Sequence, residues 1–248
     1  MTEFTEDGFL NGRVRVRQPV LGFRSGLDAV MLAAAVPARA GDTVLELGAG
    51  AGAASLCLAA RVAGCSITGV EQDGALVALA NANAAANGMD ARVRFVEADV
   101  LKLPRARRAD FDHVFCNPPF HGGGGEASPN TERSRALHEA GGLSRWLAVG
   151  VKRTTAKGTF TVVLRADRLS EALDALSRTG VSVLPLWPKA GVAAKRVIIQ
   201  LDRGKRAPFA LLPGLVLHHK TGGYTPEADA ILRCGEAVSV KPLTPLSR

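Results

Sequence analysis

The sequence predicts an α/β protein whose mostly parallel sheet carries helices on both faces. Short apolar runs, such as those around Val44, Ile67 and Val114, alternate with longer Ala- and Leu-rich stretches of helical length. That alternation specifies strands joined by crossover helices. A glycine-rich turn, Gly48-Ala49-Gly50-Ala51-Gly52, separates the first buried strand from the helix after it. The second strand ends in an acid, Glu71, as nucleotide-binding βαβ units do.

In chain order, Phe9 to Arg17 reads as a strand or hairpin arm, and Gln18-Pro19-Val20-Leu21-Gly22-Phe23 as a turn. Ser25 to Val36 reads as a helix, with Ser25 as its cap, Asp28 in the first turn and Pro37 past the end. The series continues with strand 43–47, helix 53–63, strand 66–70, helix 74–87 and strand 92–97. Next come strand 111–116, helix 143–156, strand 159–165, a helix near 168–179, and strands near 181–186 and 195–202. Gly214 to His219 is strand-like, and Tyr224-Thr225-Pro226-Glu227 leads into a short helix. No repeat, linker or second domain is visible. A single domain over 1–248 is expected, with 1–40 as a strand-and-helix extension and 41–248 as the core.

With 47% apolar residues among 248, the chain can build a substantial core and does not read as disordered. Its apolar stretches break before the ~20 residues that cross a bilayer. The start, Met1-Thr2-Glu3-Phe4-Thr5-Glu6-Asp7, is acidic and lacks the basic-then-apolar layout of a secretory leader. Cys57, Cys65, Cys116 and Cys234 are isolated and form no Cys-x-x-Cys pair. Reduced thiols, no metal, no membrane contact and a cytoplasmic location are therefore expected.

The net charge of +8 points toward a polyanionic partner, although an Arg-rich genome would give the same total. Arg13, Arg15 and Arg17 alternate with Val14 and Val16, so a strand would set three guanidiniums on one face. Lys102, Arg105, Arg107 and Arg108 cluster after Asp99, and Lys152 and Arg153 end a helix. These read either as separate solvated faces or together as a surface that tracks phosphates.

The sharpest motif is Asn117-Pro118-Pro119-Phe120, directly after the strand ending at Cys116. Two consecutive prolines lack backbone donors and fix their own φ, so the strand must stop in a rigid turn. The turn sits at a strand's carboxyl end, where open α/β sheets bind ligands. The Asn117 side chain and the Pro118 carbonyl then serve as acceptors for the hydrogens of a planar –NH2 group. Phe120 supplies a face for stacking on the attached π-system.

Glycine suits the upstream turn because the backbone bends tightly and must approach a ligand without a Cβ between them. Alone, Gly-x-Gly-x-Gly is a weak signal, and dinucleotide enzymes usually show Gly-x-Gly-x-x-Gly. Here Glu46 precedes the turn, Glu71-Gln72-Asp73 follows the second strand, and Asp99 follows the third. Taken with the Asn-Pro-Pro-Phe turn, this set resembles the class I S-adenosylmethionine-dependent methyltransferases more than an NAD-dependent enzyme.

The resemblance implies a Rossmann-like, seven-stranded, mostly parallel sheet with one antiparallel hairpin strand. It places Glu46 at the methionine end of S-adenosylmethionine, with Gly48, Ala49, Gly50 and Gly52 as the backbone floor. Glu71, with Gln72, falls at the ribose, and Asp99, with Val100, at the adenine. Asn117, Pro118, Pro119 and Phe120 fall at the acceptor amine, with Asn117 also beside the cofactor.

Nearly the whole chain further resembles the bacterial tRNA1(Val) adenine-N6 methyltransferase family, which modifies the adenine 3′ of the anticodon. The likeness runs through Gly22-Phe23-Arg24-Ser25-Gly26-Leu27-Asp28, Arg135, Lys195-Arg196-Val197 and Tyr224-Thr225-Pro226-Glu227-Ala228. By that likeness Arg24, Ser25 and Asp28 pack over the methionine moiety, and the partner is RNA, at the anticodon loop. The family's usual fourth residue is Tyr where this chain has Phe120, a change that keeps stacking and loses a hydroxyl.

Transfer to an amine is a direct displacement that scarcely needs a base, so His121 is expected to contact substrate at most, and His113, inside a strand, to be structural. Gly122-Gly123-Gly124-Gly125 is either a surface loop or a substrate-closing lid. Two other functions fit the same motifs. One is methylation of a protein glutamine amide, as in release-factor methyltransferases; the other is an inactive RNA-binding scaffold.

Overall fold

The computed structural model describes residues 3–103, 111–119, 142–176, 179–204 and 207–242. It opens with a hairpin of β1 (Phe4–Phe9) and β2 (Val14–Pro19), paired in register from Phe4 with Pro19 to Phe9 with Val14. Leu10 and Asn11 turn it at φ of 51° and 57°, the left-handed pair that matches strand twist. The expected arm over Phe9–Arg17 is thus the turn and second strand of a hairpin. Val14 and Val16 are fully buried while Arg15 and Arg17 face outward. Arg13 does not join their face: it lies in the turn, and its guanidinium donates to the carbonyls of Leu10 and Cys234.

Helix α1 (Leu27–Ala35) follows, and Ser25 does not cap it. The cap position is Gly26, with no side-chain bond. The serine backbone is held instead by Gln18, whose Oε1 accepts from Ser25 N–H (2.8 Å) and whose Nε2 donates to the Ser25 carbonyl (3.1 Å).

The α/β series comprises β3 (Thr43–Leu47), α2 (Ala53–Arg61), β4 (Ser66–Glu71), α3 (Gly74–Ala86) and β5 (Val93–Glu97). It continues with β6 (Phe111–Cys116), α4 (Gly142–Arg153), β7 (Thr154–Arg165), α5 (Leu169–Ala175), β8 (Val181–Lys189) and β9 (Arg196–Asp202). Short strands β10 (Ala210–Leu211) and β11 (Leu215–His218) precede α6 (Pro226–Leu232). Strand β7 begins earlier than expected because the β-branched pair Thr154-Thr155 disfavours further helix. The Thr154 hydroxyl donates back to the Gly150 carbonyl (2.9 Å) as α4 ends.

The expected seven strands are present in the order β8-β9-β7-β6-β3-β4-β5, and β9 is antiparallel to both neighbours. Among the described residues the sheet nevertheless has nine strands, because β10 and β11 both add to β8 in parallel. Side chains alternate between its faces. Phe115, Val163 and Ile198 pack with α1, α2, α3 and α6, whereas Val114, Phe160 and Ile199 pack with α4 and α5.

Helix α3 carries asparagines that bond strand edges. Asn81 donates to the Phe95 carbonyl (2.9 Å) and accepts its N–H (3.0 Å), closing the outer edge of β5. Asn83 makes the same reciprocal pair with Arg17 (3.0 and 3.0 Å), and Asn87 with Arg15 (2.7 and 3.0 Å). The hairpin is thereby fastened to the core through its backbone. Among the described residues no helix is long and apolar enough to cross a membrane.

Several sequence expectations fall outside the described residues: Phe120, His121, Gly122 to Gly125, Arg135, Arg105, Arg107 and Arg108.

Candidate active site

Strands β5, β4, β3 and β6 are parallel neighbours, so the turns after them meet at one edge of the sheet. Leu47 is level with Val70 and with Cys116. Gly48, Glu71 and Asn117 therefore leave adjacent strands side by side, and Asp99 stands two residues past Glu97, which pairs with Glu71.

The glycine turn is pulled over β4: the N–H groups of Gly48 and Ala49 both donate to the Val70 carbonyl (2.8 and 3.0 Å). Gly48, Gly50 and Gly52 have φ of 72°, 55° and 88°, a region that side-chain-bearing residues rarely adopt. A Cβ on Gly48 would lie 2.7 Å from the Trp146 ring, and one on Gly52 2.6 Å from Phe95, whereas at Gly50 it would meet open space. The turn is packed from below and bare above.

The Glu71 carboxylate is fixed by backbone donors. Oε2 accepts from Gly50 N–H (3.0 Å), and Oε1 from the N–H groups of Gln72 (2.8 Å) and Asp73 (3.1 Å). A carboxylate oxygen takes about two donors, so Oε2 has room for another. The Gln72 side chain is exposed beside it. Asp99 accepts from Leu101 N–H (2.9 Å) and lies 3.4 Å from the Lys102 ammonium, while Val100 is buried beneath.

Glu46 is 3% exposed, and its Oε2 accepts from the Ser55 hydroxyl (2.5 Å) and N–H (3.2 Å) in α2. Burial pushes its pKa up to about 8; the Ser55 bonds oppose that rise, and the Glu71 charge adds to it. Arg24 and Asp28 are both ion-paired. Arg24 reaches both oxygens of Asp7 (2.9 and 2.7 Å), and Asp28 accepts from Arg196 Nε of β9 (2.8 Å).

Asn117 begins the turn that Pro118 and Pro119 stiffen, with Pro118 buried and Pro119 exposed. Its Oδ1 is buried and has no hydrogen-bond partner among the described residues. A buried acceptor left unpaired costs free energy on the order of 1–3 kcal/mol, so this oxygen is one that a ligand's donor would satisfy.

Residues 26–142 match the family model described as the methyltransferase small domain. The chain is an S-adenosylmethionine-dependent methyltransferase. Among its relatives, the Shewanella woodyi tRNA1(Val) (adenine(37)-N6)-methyltransferase is 30% identical over 163 residues, covering 64% of this chain and 66% of that protein. The Haemophilus influenzae protein of the same name is 25% identical over 224 residues, 88% of this chain and 93% of that one. Agrobacterium tumefaciens Atu636, a predicted O-methyltransferase, superposes with a TM-score of 0.71 at 24% identity, over 86% of this chain and 98% of that one. A geranyl diphosphate methyltransferase in complex with SAM has a TM-score of 0.52 at 18% identity, over 71% of this chain and 84% of that one. Both structures speak for the fold.

The methyltransferase's cofactor is S-adenosylmethionine, and the site suits it: a bare backbone at Gly50, an acid with a spare lone pair at Glu71 and a buried acid at Glu46. Ser55, Trp146 and Asn83 support this floor, Gln18 clasps Ser25, and none of them was singled out in the sequence. Ser55 sits in the first turn of α2, a spacing that could have paired it with Glu46. Among the described residues no group of three or more His, Cys, Asp or Glu side chains is placed to hold a metal ion. His113 is held at both nitrogens, by Thr159 Oγ1 (2.8 Å) and Asp42 Oδ2 (3.1 Å).

Proposed function

We propose that this methyltransferase acts on an exocyclic amine, the N6 of an adenine in tRNA, at the anticodon loop. The observation that carries the reading is the unpaired, buried Oδ1 of Asn117 at the end of β6. With the Pro118 carbonyl it forms a pair of acceptors suited to a planar –NH2. The names of the 25–30% identical relatives support adenine in tRNA as the bearer of that amine.

When bound, S-adenosylmethionine supplies an electrophilic methyl group, so the reaction is a direct displacement. The chain's own part is placement. Glu71 Oε2 takes the ribose hydroxyls, the Gly48–Gly52 backbone floors the cofactor, and Glu46 lies below its methionine end with Arg24, Ser25 and Asp28 over it. Asp99 and Val100 flank the adenine, with Gln72 at the rim. Asn117 and Pro118 accept the amine hydrogens and turn its lone pair toward the methyl group. Phe120 stacks on the base. Positioning of this kind supplies roughly 7–11 kcal/mol of a barrier. An anticodon-loop base is accessible without opening a helix, which keeps the unstacking cost low. Residues 1–40 work with the core as one catalytic unit in the cytoplasm.

The test is the modification itself. Purified enzyme and tritiated S-adenosylmethionine are incubated with tRNA and, separately, with protein extract, and tRNA nucleosides are resolved by mass. N6-methyladenosine formed in tRNA is the expected product. Label confined to protein would replace this reading with glutamine amide methylation, and no cofactor binding would leave an inactive scaffold.

A further inference from the structure

The segment from Val20 to Arg24 joins β2 to α1 and stands at the rim of the site. Register places it there. Asp28 bonds Arg196, Arg196 pairs with Arg165 at the carboxyl end of β7, and Val162 of β7 pairs with Cys116, next to Asn117. Arg196, which holds the start of α1, thus stands two strands from Asn117, about 10 Å across the sheet at roughly 4.8 Å per strand, and two residues further along toward the carboxyl ends.

This segment is held at both ends and bare at its tip. Val20 N–H donates to the Glu3 carbonyl (2.9 Å), Arg24 grips Asp7, and Gln18, only 1% exposed, clasps Ser25. Between these anchors Gly22 turns at φ 105°, leaving Leu21 82% and Phe23 68% exposed. Large apolar side chains on an anchored tip gain nothing from burial in the free protein, which marks them for a partner.

The surroundings favour a nucleic acid. The Arg17 guanidinium lies 5.3 Å over the ring of Phe4, which pairs with Pro19 just ahead of the segment, and the chain carries a net charge of +8. Aromatic faces among cations are how single-stranded nucleic acid is held without reading its sequence.

We propose that Phe23, with Leu21 beside it, is a stacking platform for an unpaired nucleobase adjacent to the base being methylated. This rests on the adenine-in-RNA reading above. The platform fixes the strand on the near side of the acceptor pocket and lowers KM for RNA without contacting the cofactor.

The experiment uses full-length enzyme and an anticodon stem-loop RNA with 2-aminopurine next to the target adenine. Wild type should quench the 2-aminopurine fluorescence on binding. Phe23→Ser should abolish the quench and raise KM for the stem-loop roughly five- to hundredfold, the range of one base–aromatic stack. Leu21→Ser should do less, Phe23→Trp should restore both readouts, and S-adenosylmethionine affinity and Tm should be unchanged throughout. A Phe23→Ser enzyme that binds and quenches like wild type overturns the platform while the adenine reading stands. Loss of cofactor binding or of Tm in that variant also overturns it, since the role would then be structural. A wild-type enzyme that labels protein and no RNA removes both readings together.

Discussion

Asn83 of α3 donates through Nδ2 to the Ala51 carbonyl in the glycine turn (2.9 Å) and bonds both backbone groups of Arg17 in the hairpin. One buried amide therefore ties the glycine turn to an element far upstream in the chain. Asn87, a helical turn further on, holds Arg15 in the same way but does not reach the glycine turn. The pair separates two effects that a hairpin deletion would merge.

Asn83→Ala should lower unfolding stability by about 1–3 kcal/mol, the usual consequence of stranding buried backbone partners. It should also weaken S-adenosylmethionine binding, because Ala51 loses its tie. Asn87→Ala should lose less stability and leave cofactor affinity alone. Urea unfolding with calorimetric titration of both variants checks this, and equal effects on the cofactor would refute the coupling.

Asn117→Ala should cut methyl transfer on the order of 10²-fold, as misplacing a reacting group does, with cofactor affinity nearly intact. Asn117→Asp would present a charge with acceptors but no donor, and should retain more activity than Ala if acceptance is the role. Single-turnover rates with saturating cofactor decide it, and an active Asn117→Ala enzyme would remove the amine clamp.

Glu71→Ala should weaken S-adenosylmethionine binding by roughly 1.5–3 kcal/mol, the range for hydrogen bonds to a charged group. Glu71→Gln keeps one acceptor and should lose less. Unchanged affinity in the alanine variant would unseat Glu71 from the ribose.

Glu46 supplies a pH prediction. Its folded pKa of about 8 lies above its ordinary value of 4.5, so the free protein holds a proton there across that interval. A cationic cofactor end favours the carboxylate. Binding below about pH 8 should release a proton, and affinity should rise with pH and then level off. Stability runs the other way: Glu46's contribution is full below its unfolded value and is lost as pH rises through the folded one. Calorimetry in buffers of different ionisation heat measures the proton, and Glu46→Gln should abolish it.

Much of the sheet was legible in the sequence because both of its faces are covered, so its strands read as near-continuous apolar runs. The site floor was legible for a related reason: a Gly turn and consecutive prolines restrict the backbone whatever surrounds them. What escaped were bonds between distant segments. Gln18 looked like a turn residue and is a buried clasp on Ser25. Ser25 looked like a helix cap, and that position went to Gly26. Asn81, Asn83 and Asn87 looked like polar spacing on a helix, and their strand partners lie far away in sequence. The exposed Leu21 and Phe23 were read only as part of a turn, since one-dimensional patterning does not say which apolar side chains stay bare.

The ion pair between Asp28 and Arg196 spans 168 positions of the chain. Val238 N–H also donates to the Ala34 carbonyl at the end of α1 (3.0 Å), and Cys234 receives Arg13. During synthesis, then, the glycine turn leaves the ribosome long before the residues that seat the helix above it. On the proposed placement of α1 over the cofactor, a nascent chain would not complete its site until β9 and α6 have been made. Contacts of such long separation close late and slow the folding reaction. Capture of the cofactor therefore reports on a finished molecule, and a chain interrupted before Arg196 would be left without the capacity to hold it.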